Sequence, residues 1–210
     1  MLLSRFYDQE ILSSVRAASN GLLDAQPAAH FAEQKSTGSM VSVYDDKFFA
    51  RLVAYRPALA ILSDLGFENP TWSSGFIISK PPHSPPLFWH QDWWGWNDSC
   101  SYEAPPQQLF LMYYLVDTDR HNGCLRVIAG SHRNRHALHD EVKEAHTDNV
   151  RSLTDPEHPA YQSVEGEQDV PVRAGDLVIG DSRLLHAAHG NMSEERRTTN
   201  RYYTLVSPTF

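Results

Sequence analysis

The chain has 210 residues, of which 41% are hydrophobic and 21% are charged, a balance typical of one globular domain spanning 1–210. Its 26 acidic and 18 basic side chains give a formal net charge of −8, which argues against a nucleic-acid-binding protein, because such proteins cluster Lys and Arg. We find neither an apolar run long enough for a membrane span nor a secretory signal, so we predict a cytoplasmic protein with no membrane or nucleic-acid partner.

Helical periodicity dominates the first third of the chain. Asp8 can cap a helix whose apolar residues recur at three- and four-residue steps, and a second helix begins near Asp45. Pro57 suits the first turn of a third helix, which Gly66 ends. These segments are too weakly apolar to form a bundle by themselves, so we predict that residues 1–70 cover one side of a sheet.

From Gly75 onward the pattern changes to short strands separated by turn residues, of which Asn122-Gly123 is the clearest. The predicted strands cover residues 76–79, 87–92, 108–116, 125–128, 169–172, 176–179, 183–187 and 201–206. Eight short strands behind a helical segment indicate a mainly β fold. We predict a jelly-roll core over 75–210, with the N-terminal helices packed on one sheet.

The stretch from 130 to 168 is polar, bears several histidines and is poorly periodic. Loops of this length are uncommon inside compact domains, and those that occur often act as lids or binding loops. We therefore predict a lid-like loop here, with a short helix near 140–145.

His90-Gln91-Asp92 is the first group of residues that could carry chemistry. On a strand, or at its end, residues two apart point to the same side, so the His90 imidazole and the Asp92 carboxylate would face one point. Together they supply two members of the 2-His-1-carboxylate triad, which leaves open positions on Fe(II). His-x-Asp also occurs often by chance, so the pair alone is weak evidence for a metal site. A triad would need a second histidine from elsewhere in the chain.

Two histidines near the end of a later apolar segment compete for that third position. His186 and His189 are three apart, so on a strand they would face opposite sides and only one could join the site. His186 follows Leu184 and Leu185 directly and is the better candidate. We expect His189 to lie in a loop or to support the ligands.

Arg197 is the candidate cation. A 2-oxoglutarate enzyme needs a fixed positive charge for the far carboxylate of that molecule, and the planar guanidinium suits it because it pairs bidentately. A turn over 191–195 would allow the next strand to bring Arg197 back beside the metal. Arg196 is the competitor, although neighbours on a strand point oppositely. Alternatively, the two arginines are a solvated pair.

Several short stretches follow one another in a characteristic order: Lys80-Pro81-Pro82, Trp89-His90-Gln91-Asp92, Asn122-Gly123-Cys124-Leu125, Gly130-Ser131-His132, Ala174-Gly175-Asp176, and Leu185-His186 through Asn191, Ser193 and Arg197. In these stretches the chain resembles the phytanoyl-CoA dioxygenase family of Fe(II)/2-oxoglutarate oxygenases, and the resemblance extends over most of the chain, including its helical N-terminal third. The resemblance implies a double-stranded β-helix, a cupin-like jelly roll. It also implies that His90, Asp92 and His186 are the catalytic iron ligands and that Arg197 binds the cosubstrate.

The same resemblance carries expectations about the reaction. A small-molecule metabolite would be hydroxylated while 2-oxoglutarate and O2 give succinate and CO2. The carboxylate of Asp92 favours hydroxylation, because related halogenases leave that ligand position to chloride. Gln91 matches a position that can also contact 2-oxoglutarate. Ala188 stands where relatives often carry a hydroxyl, so the cosubstrate would either have one polar contact fewer or gain another from a tyrosine such as Tyr114 or Tyr202.

Trp93 and Trp94 flank the His-x-Asp motif and are candidate substrate contacts, with a place in the core or in a covering flap as the alternative. Two other functions stay open at this point. One is a catalytically silent jelly roll that binds a metal or ligand, and the other is a zinc hydrolase, which lacks an evident acid or base near the triad. Turnover of 2-oxoglutarate to succinate separates the oxygenase from both.

Overall fold

The computed structural model describes residues 1–32, 38–96, 98–103, 105–142, 155 and 157–206. The helices in this part of the chain are α1 (Gln9–Asp24), α2 (Ala28–Ala32), α3 (Lys47–Val53), α4 (Arg56–Asp64) and α5 (Leu138–Glu141). The strands are β1 (Leu2–Leu3), β2 (Ser39–Ser42), β3 (Thr71–Lys80), β4 (Leu87–His90), β5 (Gln108–Tyr114), β6 (Leu125–Ile128), β7 (Glu167–Val170), β8 (Leu177–Asp181), β9 (His186–Ala188) and β10 (Arg197–Leu205). None of the described helices is long and apolar enough to cross a membrane.

The strands form two antiparallel sheets. The major sheet has the order β1-β8-β5-β10-β3-β2, and the minor sheet has the order β4-β9-β6-β7. Neighbours in each sheet are mostly distant in sequence, as in a jelly roll, and the mainly β double-stranded β-helix predicted from the sequence is confirmed.

The N-terminal helices cover one face of the major sheet, as predicted. The Asp8 carboxylate caps α1 by accepting the Ile11 N–H at 2.8 Å. Val15 of α1, Phe49 of α3 and Leu62 of α4 are buried in one apolar cluster with side chains of the sheet. This helix-side cluster lies on the outer face of the major sheet, so the other face of that sheet is left to line a cavity.

Several strand boundaries differ from the prediction. β4 ends at His90 rather than at residue 92, and β10 begins at Arg197 rather than at residue 201. The strand predicted over 183–187 begins only at His186, because Arg183 turns back to form an ion pair with Asp181. β1, β2 and α2 were not predicted; the two strands are short edge strands, and α2 has only five residues.

The predicted lid-like loop lies only partly within the described residues, since 143–154 and 156 fall outside them. The helix predicted near 140–145 corresponds to α5, which covers Leu138–Glu141. Two tryptophans anchor the described part of the loop: Trp89 Nε1 donates to the Gln162 carbonyl at 2.9 Å, and Trp96 Nε1 donates to the His139 carbonyl at 3.0 Å. The lid, and the division of one domain into a helical part and a core, stay predictions.

Candidate metal centre and its cavity

Sheet pairing brings His90 and His186 together. The two residues are direct partners across β4 and β9, and their ring centroids are 4.2 Å apart. Asp92 follows β4, where its backbone N–H donates to the Ser182 carbonyl at 2.9 Å. The Asp92 carboxylate lies 3.6 Å from His90 Nε2 and 3.4 Å from His186 Nε2. One ligand atom from each of the three residues therefore lies within 4.8 Å of the others.

Each imidazole of this triad is held in one orientation by a backbone carbonyl. The Nδ1 of His90 is 2.9 Å from the Phe88 oxygen, and the Nδ1 of His186 is 2.9 Å from the Leu184 oxygen. A carbonyl can only accept, so the Nδ1 atoms carry the protons and each Nε2 presents its lone pair towards Asp92. This is the tautomer that a histidine needs in order to bind a metal through Nε2.

The electrostatics of the triad favour ligand-competent protonation states. Burial lowers the pKa of His186 to about 3, assisted by His90 and opposed by Asp92. Burial by itself would raise the pKa of Asp92, but the Arg201 guanidinium and the neighbouring imidazoles hold it well below its ordinary value. A neutral imidazole and an ionised carboxylate are the forms that bind a divalent cation.

The triad opens into a cavity of about 620 Å³ between the two sheets. Its apolar walls come mainly from alternate residues of β3 and from β4, and its polar groups are concentrated on β10. The residues that line it are Met40, Ser74, Phe76, Ile78, Lys80, Leu87, Phe88, His90, Asp92, Trp94, Gln108, Met112, Leu125, Ala188, Arg197, Thr199, Arg201 and Tyr203.

Arg197 and Arg196 point to opposite sides at the start of β10. Arg197 lines the cavity, is only 5% exposed, and has an Nε with no hydrogen-bond partner among the described residues. Arg196 is exposed, donates to Ser79 Oγ at 2.9 Å and lies over the ring of Phe31. A buried guanidinium that lines a cavity and keeps an unused donor is suited to bind an anion there, whereas Arg196 is a surface residue.

Lys80 is directly opposite Arg197 in the pairing of β3 with β10. Its Nζ donates to the carbonyls of Pro85 at 2.8 Å and His189 at 3.0 Å. Burial, together with Arg197, lowers the pKa of Lys80 well below its ordinary value. These bonds join the end of β3 to the residues just before β4 and just after β9. The fold therefore explains the role of Lys80.

The other residues predicted to contact ligands divide between the cavity and its surroundings. Trp94 lines the cavity and is 75% exposed. Gln91 and Trp93 are not among the described lining residues and bond elsewhere: Gln91 Nε2 donates to the Trp93 carbonyl at 3.2 Å, and Trp93 Nε1 donates to Ser101 Oγ at 3.0 Å. Of the three, Trp94 alone is placed to contact a bound molecule.

The expectation that Tyr202 replaces the hydroxyl missing at Ala188 is wrong. Tyr202 belongs to the helix-side cluster, where its ring packs against Tyr113 with centroids 5.5 Å apart. Ala188 lines the cavity on the other side of the major sheet. Tyr114 is buried on the cavity side of β5 near Arg197, but it is not among the described lining residues.

His189 takes no part in the triad. Its Nε2 lies 2.6 Å from the Asp169 carboxylate, and these two side chains form a second group with Cys124 that has metal-like spacing. Burial and the neighbouring Asp169 raise the pKa of Cys124 to about 11, so it is a neutral thiol rather than a thiolate at neutral pH. The hydrogen bond between His189 and Asp169 accounts for this second group.

Arg201 and Tyr203 are cavity residues that sequence reasoning missed. Arg201 Nη1 lies 3.0 Å from Asp92 Oδ2, 3.4 Å from His186 Nε2 and 3.1 Å from the Tyr203 hydroxyl. The signal that could have found them is alternation, because residues 197, 199, 201 and 203 share one face of a strand. The alternation can be recognised only if the strand is known to begin at Arg197, whereas the predicted strand began at residue 201.

Comparison with known proteins places these residues in a family context. The profile of the phytanoyl-CoA dioxygenase family matches residues 6–199. Phytanoyl-CoA dioxygenase 1 of Oryza sativa subsp. japonica is 30% identical over 144 residues, which make up 66% of this chain. The match spans only 46% of that relative, so the chain corresponds to about half its length.

Solved structures share the fold at low sequence identity. HygX from Streptomyces hygroscopicus, with nickel and 2-oxoglutarate bound, has a TM-score of 0.72 at 18% identity, covering 100% of this chain and 82% of its own. The epimerase SnoN, in complex with Fe3+, alpha ketoglutarate and nogalamycin RO, has a TM-score of 0.70 at 18% identity, covering 98% and 78%.

Proposed function

The chain belongs to the phytanoyl-CoA dioxygenase family, and on that premise we propose that it is an Fe(II)- and 2-oxoglutarate-dependent oxygenase acting on a small molecule. In this proposal His90, Asp92 and His186 hold the iron and Arg197 holds the far carboxylate of 2-oxoglutarate. The single observation that carries it is the convergence of the three ligand atoms within 4.8 Å at the wall of the cavity.

The donor set fits Fe(II) on chemical grounds. Two imidazoles and one carboxylate form the 2-His-1-carboxylate set typical of non-heme Fe(II) oxygenases, whereas Mg²⁺ and Ca²⁺ favour oxygen ligands alone. The Phe88 and Leu184 carbonyls orient both imidazoles with Nε2 towards Asp92, as metal binding through Nε2 requires. When bound, iron with 2-oxoglutarate and O2 supplies the oxidising chemistry, with succinate and CO2 as coproducts.

Arg197 fits the cosubstrate for a reason independent of the triad. Its guanidinium is buried, lines the same cavity and keeps one donor without a described partner. A bound carboxylate would satisfy that donor and balance a charge that is costly to bury alone. Arg197 and the apolar walls of the cavity would then orient the bound molecules and exclude water.

We expect hydroxylation as the outcome, because Asp92 provides the carboxylate that halogenating relatives lack. The fold alone does not fix this outcome, since SnoN, which shares it, is an epimerase. The family name likewise does not fix the substrate, because function depends on the site rather than on the fold.

The competing functions predict different results in one assay. A catalytically silent binding protein and a zinc hydrolase share the ligand residues, but neither consumes 2-oxoglutarate. Anaerobic protein is loaded with Fe(II), given 2-oxoglutarate and O2, and assayed for succinate with and without candidate small molecules. Iron-dependent succinate formation is expected, with zinc-loaded protein as the control. Failure of 2-oxoglutarate to bind the metal-loaded protein would contradict the proposal.

A further inference from the structure

The cavity contains a second buried arginine that the proposed cosubstrate does not use. Arg197 and Arg201 lie on the same face of β10, and four residues of strand span about 13 Å. Arg201 reaches the triad through Asp92, whereas Arg197 has no described hydrogen bond to any of the three ligands. The two guanidiniums therefore serve different parts of the cavity, and a carboxylate bound at Arg197 leaves Arg201 available.

Most of the donors on Arg201 are not used for charged partners. Its Nη1 contacts Asp92 and the Tyr203 hydroxyl, whereas the one described partner of its Nη2 is Met112 Sδ at 3.9 Å. Its Nε has no hydrogen-bond partner among the described residues, and the side chain is only 5% exposed. A buried donor without an acceptor is destabilising, so this guanidinium can gain from a further oxyanion.

A charge balance of the loaded cavity points the same way. Asp92 is the one acidic side chain among the described lining residues, opposed by the guanidiniums of Arg197 and Arg201. A divalent metal adds two positive charges and 2-oxoglutarate adds two negative ones. One positive charge is left over when Lys80, which donates to two backbone carbonyls and whose pKa burial lowers well below its ordinary value, is counted as neutral. An unbalanced charge in a dry cavity is costly, and one negative charge on the remaining ligand would remove it.

We propose that Arg201 binds a carboxylate of the primary substrate, which is therefore a largely apolar small molecule with a single negative charge. The inference rests on the proposed function, because it assigns the substrate side of the same cavity. The planar guanidinium matches a carboxylate in shape, and one negative charge matches the excess better than the two of a phosphate monoester. The apolar part of the molecule has Phe76, Ile78 and Leu87 as its surroundings.

Octanoate, octanamide and octyl phosphate provide matched probes for this subsite. Each is titrated calorimetrically into the full chain loaded with Ni(II) and saturating 2-oxoglutarate, so that Arg197 is already occupied. Wild-type protein is expected to bind octanoate about tenfold or more tightly than octanamide, because the pair with Arg201 is charge-assisted. Octyl phosphate is expected to bind less tightly than octanoate, and tighter binding would overturn the carboxylate assignment.

The variant Arg201→Gln is expected to reduce the octanoate preference to less than about threefold, because the charge and the fork are lost. Arg196→Gln, which removes an exposed guanidinium just before the same strand, should keep the wild-type preference. An octanoate preference that survives in Arg201→Gln would overturn the inference. This holds even if the variant also weakens Ni(II) binding through Asp92. If Arg201→Gln fails to fold, the wild-type comparison still decides, since equal affinities for octanoate and octanamide also overturn it.

The same titrations separate this inference from the proposed function. Binding of 2-oxoglutarate to Ni(II)-loaded protein is measured first and does not depend on the octyl probes. Loss of that binding would contradict the oxygenase proposal. Normal 2-oxoglutarate binding without an octanoate preference would overturn the role of Arg201 alone.

Discussion

The two faces of β10 border two interiors with different chemistry. On one face, Tyr202 packs in the helix-side cluster with residues such as Ile77 and Leu111. On the other face, Arg197 and Arg201 extend into the cavity beside the triad. Successive residues of one strand thus line a packed apolar core and a charged cavity.

The difference between the two faces of β10 indicates which residues stabilise the fold and which are placed to bind ligands. Each side chain removed from water in the helix-side cluster contributes roughly 1.5–3 kcal/mol for a residue the size of Leu or Ile. Buried guanidiniums and a carboxylate lose hydration, and their pairing only offsets that loss. We therefore expect changes on the helix side to alter the free energy of unfolding, and changes on the cavity side to alter ligand binding.

The largest effect is expected where a metal ligand is removed. His186→Ala should reduce iron-dependent succinate formation to the level measured without iron, since only two ligands remain. That loss should exceed the roughly 10- to 100-fold that changing a supporting partner of a metal ligand typically costs. Equilibrium dialysis with Fe(II) should show the matching loss of metal affinity.

His189→Ala is the matched control for that variant. His189 lies three residues along the chain but contacts Asp169 instead of the triad. Its removal should leave iron affinity and succinate formation close to those of the wild type. Equal losses in the two variants would show that the metal does not bind at the cavity triad.

The second effect tests the helix side. Leu62 of α4 is 2% exposed in the helix-side cluster, and Leu62→Ala should lower the free energy of unfolding by about 3 kcal/mol. Urea unfolding measures this change. The affinity for 2-oxoglutarate under native conditions should stay unchanged, and a clear loss of affinity would show that the two faces are not independent.

Much of the fold, and the meeting of His90, Asp92 and His186 at one point, could be predicted because their signals are local. His90-Gln91-Asp92 places two ligands by the period of a strand, and the helices at the N-terminus show ordinary apolar spacing. The order of the short motifs then narrowed the choice between His186 and His189. In these cases neighbouring residues carry the information that the structure uses.

The start of β10 and the roles of its side chains could not be predicted, because they depend on contacts between residues that are distant in sequence. Arg197-Thr198-Thr199-Asn200 is wholly polar, so the first half of β10 has no apolar alternation to reveal it, although all four residues are buried. The role of Arg201 depends on Asp92, which is more than a hundred positions away and is brought near by the fold. Tyr202 and Tyr203 are equally apolar, so only the sheet assigns one to each side.

The third effect concerns the cosubstrate. Arg197→Gln should weaken 2-oxoglutarate binding to Ni(II)-loaded protein by about 10- to 50-fold, because a charge-assisted pair in the cavity is lost. Arg196→Gln should keep the wild-type affinity, since Arg196 contacts Ser79 and Phe31 at the surface. Calorimetry gives both values, and similar losses in the two variants would move the anion site away from Arg197.

The smallest effect compares two adjacent tyrosines. The Tyr202 hydroxyl is buried with no hydrogen-bond partner among the described residues, whereas the Tyr203 hydroxyl accepts from Arg201 Nη1 at 3.1 Å. Tyr202→Phe should leave the free energy of unfolding unchanged or raise it by up to about 1 kcal/mol, because an unpaired polar group is removed. Octanoate binding should not change.

Tyr203→Phe should act in the opposite way. It removes a bond that orients the Arg201 guanidinium, so octanoate affinity should fall by up to about fivefold, with a loss of about 1 kcal/mol in the free energy of unfolding. Each variant removes one tyrosine hydroxyl from adjacent residues of β10. The two variants therefore differ in which face of the strand loses the hydroxyl. If Tyr202→Phe changes octanoate binding as much as Tyr203→Phe does, the separation of a stabilising face from a ligand-binding face does not hold.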